Sequence, residues 1–152
     1  MSKTVLKQLG RKMPLAESAA IILSFRYGDS RKKAKRFLKE SSVENLHSLR
    51  IAIRRLRYSL ENFEACFSRS SFKSNIEYLK KLQDVIGVGR DLDVMKEKVA
   101  HLESECRTII PRPFYECLSG KKDESLQEIK LELLKFLQNK KTRSFFTGKK
   151  ED

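Results

Sequence analysis

Apolar residues recur along this chain at intervals of three and four, the spacing that gathers them on one side of an α-helix. The longest such series is Leu49, Ile53, Leu56, Leu60, Phe63 and Phe67. It follows Ser42, which opens an S-x-x-N stretch suited to an N-cap. A second series, Phe72, Ile76, Leu79, Leu82 and Ile86, runs into Gly87 and Gly89, which are expected to end it in a short turn. A third, Leu92, Met95, Val99, Leu102 and Cys106, starts behind Asp91 as cap and runs toward the helix breakers Pro111 and Pro113. Leu126, Ile129, Leu133, Phe136 and Leu137 predict another helix over about 124–140, with Ser125 and Glu128 as a capping box. Near the start, Pro14 precedes Leu15, Ala19, Ile22 and Leu23 in a helix reaching Phe25. That helix either breaks at Tyr27, Gly28, Asp29 and Ser30 or continues through them into 31–39; the sequence permits both. Narrow seams on successive helices joined by short loops can be buried only against one another. The expected fold is therefore all-α, an antiparallel helical bundle of about four to six helices over 14–147, with 1–13 and 148–152 as flexible termini.

Charge narrows the range of partners. The chain has 152 residues, enough to bury a core in one domain without disulfides or metal. Its 33 Lys and Arg outnumber 20 Asp and Glu to give +13, a balance that favours nucleic acid, phosphate polymers or anionic lipid. Cys66, Cys106 and Cys117 are odd in number and form no C-x-x-C pair, so they suggest neither a disulfide framework nor a zinc site, and they read as reduced cytoplasmic thiols. Lys3, Lys7, Arg11 and Lys12 before an apolar patch resemble a signal peptide, but Glu17 interrupts the patch and the pure run 19–23 is short. No apolar stretch approaches the ~20 residues that span a bilayer. A cytoplasmic protein without membrane contact is expected.

One helix face concentrates the basic residues. At 100° per residue, His47, Arg50, Arg54 and Arg57 fall within ~80° of one another and ~120° from the apolar stripe of the same helix, and they extend ~15 Å along it. Arg55 flanks this row. Guanidinium groups suit phosphate because they present planar paired donors and keep their charge at physiological pH. At the i±3 and i±4 positions of Arg54 and Arg57 the only acidic residue is Glu61, so an external anion is the natural partner. His47 has no paired nucleophile and reads as a hydrogen-bonding or cationic member of the row. His101 reads as a surface residue. Asp91 and Asp93 read as a helix cap and an ion pair positioning Arg90 or His47, in preference to a metal site. Gly87, Val88 and Gly89 lack the Lys-Ser/Thr ending and preceding strand of a phosphate loop. Lys140, Lys141, Arg143, Lys149 and Lys150 form either a solvated tail or a peripheral extension of the anion site.

The same residues carry a family resemblance. Residues 46–58, LHSLRIAIRRLRY, resemble the opening helix of the CHAD family, helical domains named for a characteristic histidine. Residues 79–87, LKKLQDVIG, followed by Arg90, Asp91, Leu92, Asp93 and Val94, resemble that family's second helix and its Arg-Asp-Leu-Asp-Val entry to the third. Thr142, Arg143, Ser144, Phe145 and Phe146 resemble the basic segment that closes a repeat. The resemblance implies a four-helix repeat that binds inorganic polyphosphate without catalysis and needs no cofactor or metal. Carried over by position, His47, Arg50, Arg54, Arg55, Arg57, Lys80 and Arg90 are the implied ligand contacts, with Lys81 and Arg143 at the periphery. Family members typically pair two repeats around a basic cleft, whereas each motif occurs once here. A homodimer is therefore expected to supply the second half. Association with polyphosphate granules is the corresponding expectation for location. Nucleic acid is the alternative ligand, although the row lacks the Asn and Gln that read bases and has only Tyr58 as an aromatic platform.

Overall fold

The computed structural model describes residues 9–10, 12–107 and 109–148, and the regular structure among them is entirely helical. Five α-helices follow in order: α1 Leu15–Lys39, α2 Val43–Asn62, α3 Arg69–Glu105, α4 Arg112–Gln138 and α5 Lys140–Thr147, with a 3₁₀ turn Glu64–Cys66 between α2 and α3. The expected all-α bundle is what the chain forms. Most of the expected flexible termini, including Lys3, Lys7, Arg11, Lys149 and Lys150, lies outside the described residues; Gly148 forms the left-handed C-cap of α5.

Short connections force antiparallel neighbours. α1 packs on α2, α2 on α3 and α3 on α4, while α4 and α5 return to α1. The stripes meet in one core, with Leu23 and Tyr27 from α1, Leu49, Ile53, Leu56 and Leu60 from α2, Leu79, Leu82 and Ile86 from α3, and Ile129, Leu133 and Phe136 from α4. Phe146 of α5 closes the ring by stacking on Tyr27 at 5.0 Å between centroids. Side-chain caps fix the starts of three helices: Ser42, Ser68 and Asn139 accept the backbone N–H of Asn45, Ser71 and Thr142. At the end of α4, the Arg31 guanidinium donates to the Leu137 carbonyl at 2.7 Å, satisfying one of the acceptors a helix C-terminus leaves open.

Five expectations from the sequence are corrected. Gly87 and Gly89 do not end a helix: α3 passes through both and runs for 37 residues, so the second and third apolar series are one element. An interior glycine costs only ~1 kcal/mol relative to alanine, and at Gly89 packing favours it. A Cβ there would lie 2.5 Å from Ile129 Cδ1 and 3.3 Å from Ser125 Oγ, so the missing side chain lets α3 and α4 approach. Asp91 is accordingly mid-helix and exposed, not a cap. Pro111 and Pro113 start α4 instead of only breaking its predecessor, because the first turn needs no N–H from proline. Ser125, expected in a capping box, is thus buried inside α4. Finally, of the third series only Val99 is buried, while Met95 and Leu102 stay exposed because they lie on the side of α3 away from the core. Gly28 is likewise internal to α1, which resolves the open choice in favour of a continuous helix.

Candidate functional site

The positive charge is unevenly placed. Of the 33 basic and 20 acidic residues, seven and nine respectively fall between 89 and 128, the outer part of the α3–α4 hairpin. The excess therefore lies in residues 1–88 and 129–152, and the field would draw a polyanion there and not to the hairpin tip.

Within that region, α2 turns its row toward α3. A Cβ on Gly89 of α3 would lie 3.4 Å from Leu46 Cδ2, so Leu46 marks the side of α2 that faces α3. At 100° per residue, Arg57 and Arg50 lie within about 40° of Leu46, Arg54 at about 80° and His47 at about 100°. The row thus passes from the floor of an α2–α3 groove to its solvent edge. Arg50 and Arg57 are half-buried, and His47 and Arg54 are exposed. Arg55 lies about 180° from Leu46, on the opposite flank, and the structure does not bring it to the row. On α3, Ile76, Gln83 and Arg90 are spaced by seven and share one stripe. That stripe is turned away from Tyr78 and Lys81, which meet Phe136 and Glu132 of α4. Gln83 and Arg90 therefore line the second wall, with Lys80 at its rim.

The polar groups along this groove are incompletely matched. Arg57 Nη1 lies 3.4 Å from Glu61 Oε1, and its guanidinium sits 4.5 Å from the Tyr58 ring centroid. Arg90 Nη1 reaches Glu97 Oε1 at 3.3 Å. Among the described residues, His47, Arg50, Arg54 and Lys80 belong to no ion pair. The Nε atoms of Arg50 and Arg57 and the Oε1 of Gln83 are buried with no hydrogen-bond partner among the described residues. Leaving such a group unmatched costs about 1–3 kcal/mol, so an acceptor entering the groove would be stabilised by the two arginines. Gln83 is the residue that the sequence reading passed over. Its amide can turn its NH₂ toward an anion as readily as its oxygen, and its sequence signal was a polar position seven residues from Arg90.

The remaining candidates are engaged elsewhere. Lys81 lies 3.7 Å from Glu132 Oε1, which also accepts from Lys135 Nζ at 2.7 Å. The Lys135 hydrogen bond holds the Glu132 carboxyl below its usual range, against the effect of burial and with help from Lys81. Arg143 is exposed on α5, which packs on α1 and not along the groove. Asp93 is 4 % exposed and pairs with Lys122 Nζ at 2.6 Å, not with Arg90 or His47 as expected. Because α3 is continuous, Asp93 falls in line with Leu82, Ile86 and Gly89 on the inward face, where α4 supplies the lysine. Among the described residues no three His, Cys, Asp or Glu side chains gather as metal ligands do. No described helix is long and apolar enough to cross a membrane.

The sequence model of the CHAD domain matches residues 3–100. That span carries α1, α2 and α3 up to Ala100, and with them both walls of the groove. Residues 101–152, including the 142–146 segment, lie outside the match. No curated protein and no solved structure matches the chain.

Proposed function

Because the chain belongs to the CHAD domain family, we propose that it binds inorganic polyphosphate, without catalysis, along the groove between α2 and α3. The observation that carries this reading is the arginine row itself: among the described residues Arg50 and Arg54 have no carboxylate partner, and the buried Nε groups of Arg50 and Arg57 have no acceptor. Consecutive polymer phosphates supply closely spaced acceptors of the right charge. Arg50, Arg54 and Arg57 grip them, His47, Lys80 and Arg90 extend the contact, and Gln83 donates from the α3 wall. Arg55, Lys81 and Arg143 contribute to the surrounding field and not to the grip.

A nucleic acid is the second reading, favoured by Tyr58, which is 48 % exposed beside the row. One ring is a poor platform for successive bases, and it already lies against Arg57. The proposal also places a second copy across the polymer, since each motif occurs once in these 152 residues; like charges keep the two grooves from facing each other until polyanion is present. It further places the protein in the cytoplasm in association with polyphosphate granules.

The test is competition against a labelled polyphosphate probe at two salt concentrations, using long polyphosphate, single-stranded RNA and duplex DNA of equal total charge. Every polyanion loses affinity as salt rises, so rank order decides. Polyphosphate should compete best at both salts; equal or better competition by either nucleic acid overturns the reading.

A further inference from the structure

Val88, Met95 and Leu102 lie on the outside of α3 with 55 %, 45 % and 42 % of their surface exposed. They are spaced by seven, so they drift only ~20° per step and form one stripe ~21 Å long. This stripe is roughly 120–160° around α3 from Arg90 and therefore faces away from the basic groove. Asp91 and Lys98 flank it on the same side, and neither belongs to an ion pair among the described residues. An apolar stripe of three large residues with two unused opposite charges beside it is the pattern of a helix face that packs on another helix.

We infer that this face binds a second copy of the chain, with the two α3 helices antiparallel about a two-fold axis at Met95. In that arrangement, a position before Met95 in one copy faces the position equally far after it in the other. Val88 then meets Leu102 of the other copy on both sides of a central Met95 pair. Asp91, four residues before the axis, meets Lys98, three residues after it, and the symmetry makes this ion pair twice. A parallel pairing would set Asp91 against Asp91 and Lys98 against Lys98. The self-complementarity of the face thus selects both the partner and the direction.

The charge distribution permits such a contact. Two copies of a +13 chain repel over most of their surface, but residues 89–128 hold seven basic and nine acidic side chains, so this is the region where copies can approach. Asp84 and Glu105 lie on the same side at the two ends and would repel one another across the axis, which confines the contact to the central turns. So short an interface falls in the weak, concentration-dependent class. It is independent of polyanion and leaves both grooves open, unlike the polymer-bridged pairing proposed above.

Sedimentation of the full chain without polyanion, over a roughly hundredfold concentration range, tests the inference. A reversible monomer–dimer equilibrium is expected. Met95→Glu should weaken it at least about tenfold, because two carboxylates would be forced together on the axis. Arg54→Ala should leave it unchanged. Asp91→Lys and Lys98→Asp should each weaken association, and the double exchange should restore it, a result that misfolding cannot mimic. A chain that stays monomeric throughout, a dimer indifferent to Met95→Glu, or a double exchange that fails to rescue overturns the inference. None of these outcomes bears on polyphosphate binding, which is read by the competition assay.

Discussion

Replacing Gly87 and Gly89 of α3 by alanine, one at a time, should move stability in opposite directions. At Gly87 a Cβ would meet no atom within 4 Å. Alanine there brings the helix preference that glycine lacks, about 0.5–1 kcal/mol. For a chain of this length, 1 kcal/mol corresponds to about 2–4 °C in Tm. At Gly89 the same gain is opposed by a Cβ placed 2.5 Å from Ile129 Cδ1, 3.3 Å from Ser125 Oγ and 3.4 Å from Leu46 Cδ2. Overpacking of a close helix–helix contact costs ~1–3 kcal/mol. The Ile129 methyl is the end of a movable side chain and can yield, which favours the lower part of that range, so Gly89→Ala should be net destabilising by about 0–2 kcal/mol. Urea and thermal unfolding followed by circular dichroism measure both variants. A Gly87→Ala variant less stable than the parent would mean that the chain turns at this position, and the continuous α3 would be wrong. Equal stabilisation by both alanines would mean that α3 and α4 are not in close contact at Gly89.

Three further outcomes follow from the same structure. Arg50→Ala, Arg54→Ala and Arg57→Ala should each weaken polyphosphate binding more than Arg55→Ala or Lys140→Ala, with folding retained, whereas Leu56→Ala should cost ~2–5 kcal/mol of stability. Equal loss of affinity for Arg54→Ala and Lys140→Ala would replace the groove by diffuse charge. Gln83→Glu should lower polyphosphate affinity more than Gln83→Leu, because it sets a carboxylate facing the anion; titrations at matched salt that rank the two the other way would remove Gln83 from the site. Glu132 is held below its ordinary carboxylate range by Lys135 and Lys81, so its contribution is present above the unfolded value of roughly 4.3 and is lost as pH falls through the folded value. Urea midpoints across that acid range should fall less for Glu132→Gln than for the parent; parallel curves would contradict the assignment.

The apolar spacing determined much of this protein by itself. Three- and four-residue intervals made Leu49, Ile53, Leu56 and Leu60 a buried stripe, Ser42 a cap and the chain an all-α bundle, because helix geometry follows from local periodicity and short loops leave antiparallel packing as the way to bury each stripe. The basic row was legible for the same reason: angles within one helix are a property of sequence alone. Tertiary contacts decided the rest. Whether Gly89 ends a helix or lets two helices touch depends on Ile129 and Ser125, forty residues away along the chain at most but on another element. Asp93 found Lys122 and not Arg90 because α3 did not turn. Arg55, which flanks the row in sequence, proved to lie opposite the side of α2 that Leu46 turns to α3, and Gln83 joined the groove once Tyr78 and Lys81 showed which side of α3 meets α4. Met95 and Leu102 carry the spacing of a core stripe yet remain exposed, because periodicity gathers residues on a face while only the neighbouring elements determine whether that face is covered.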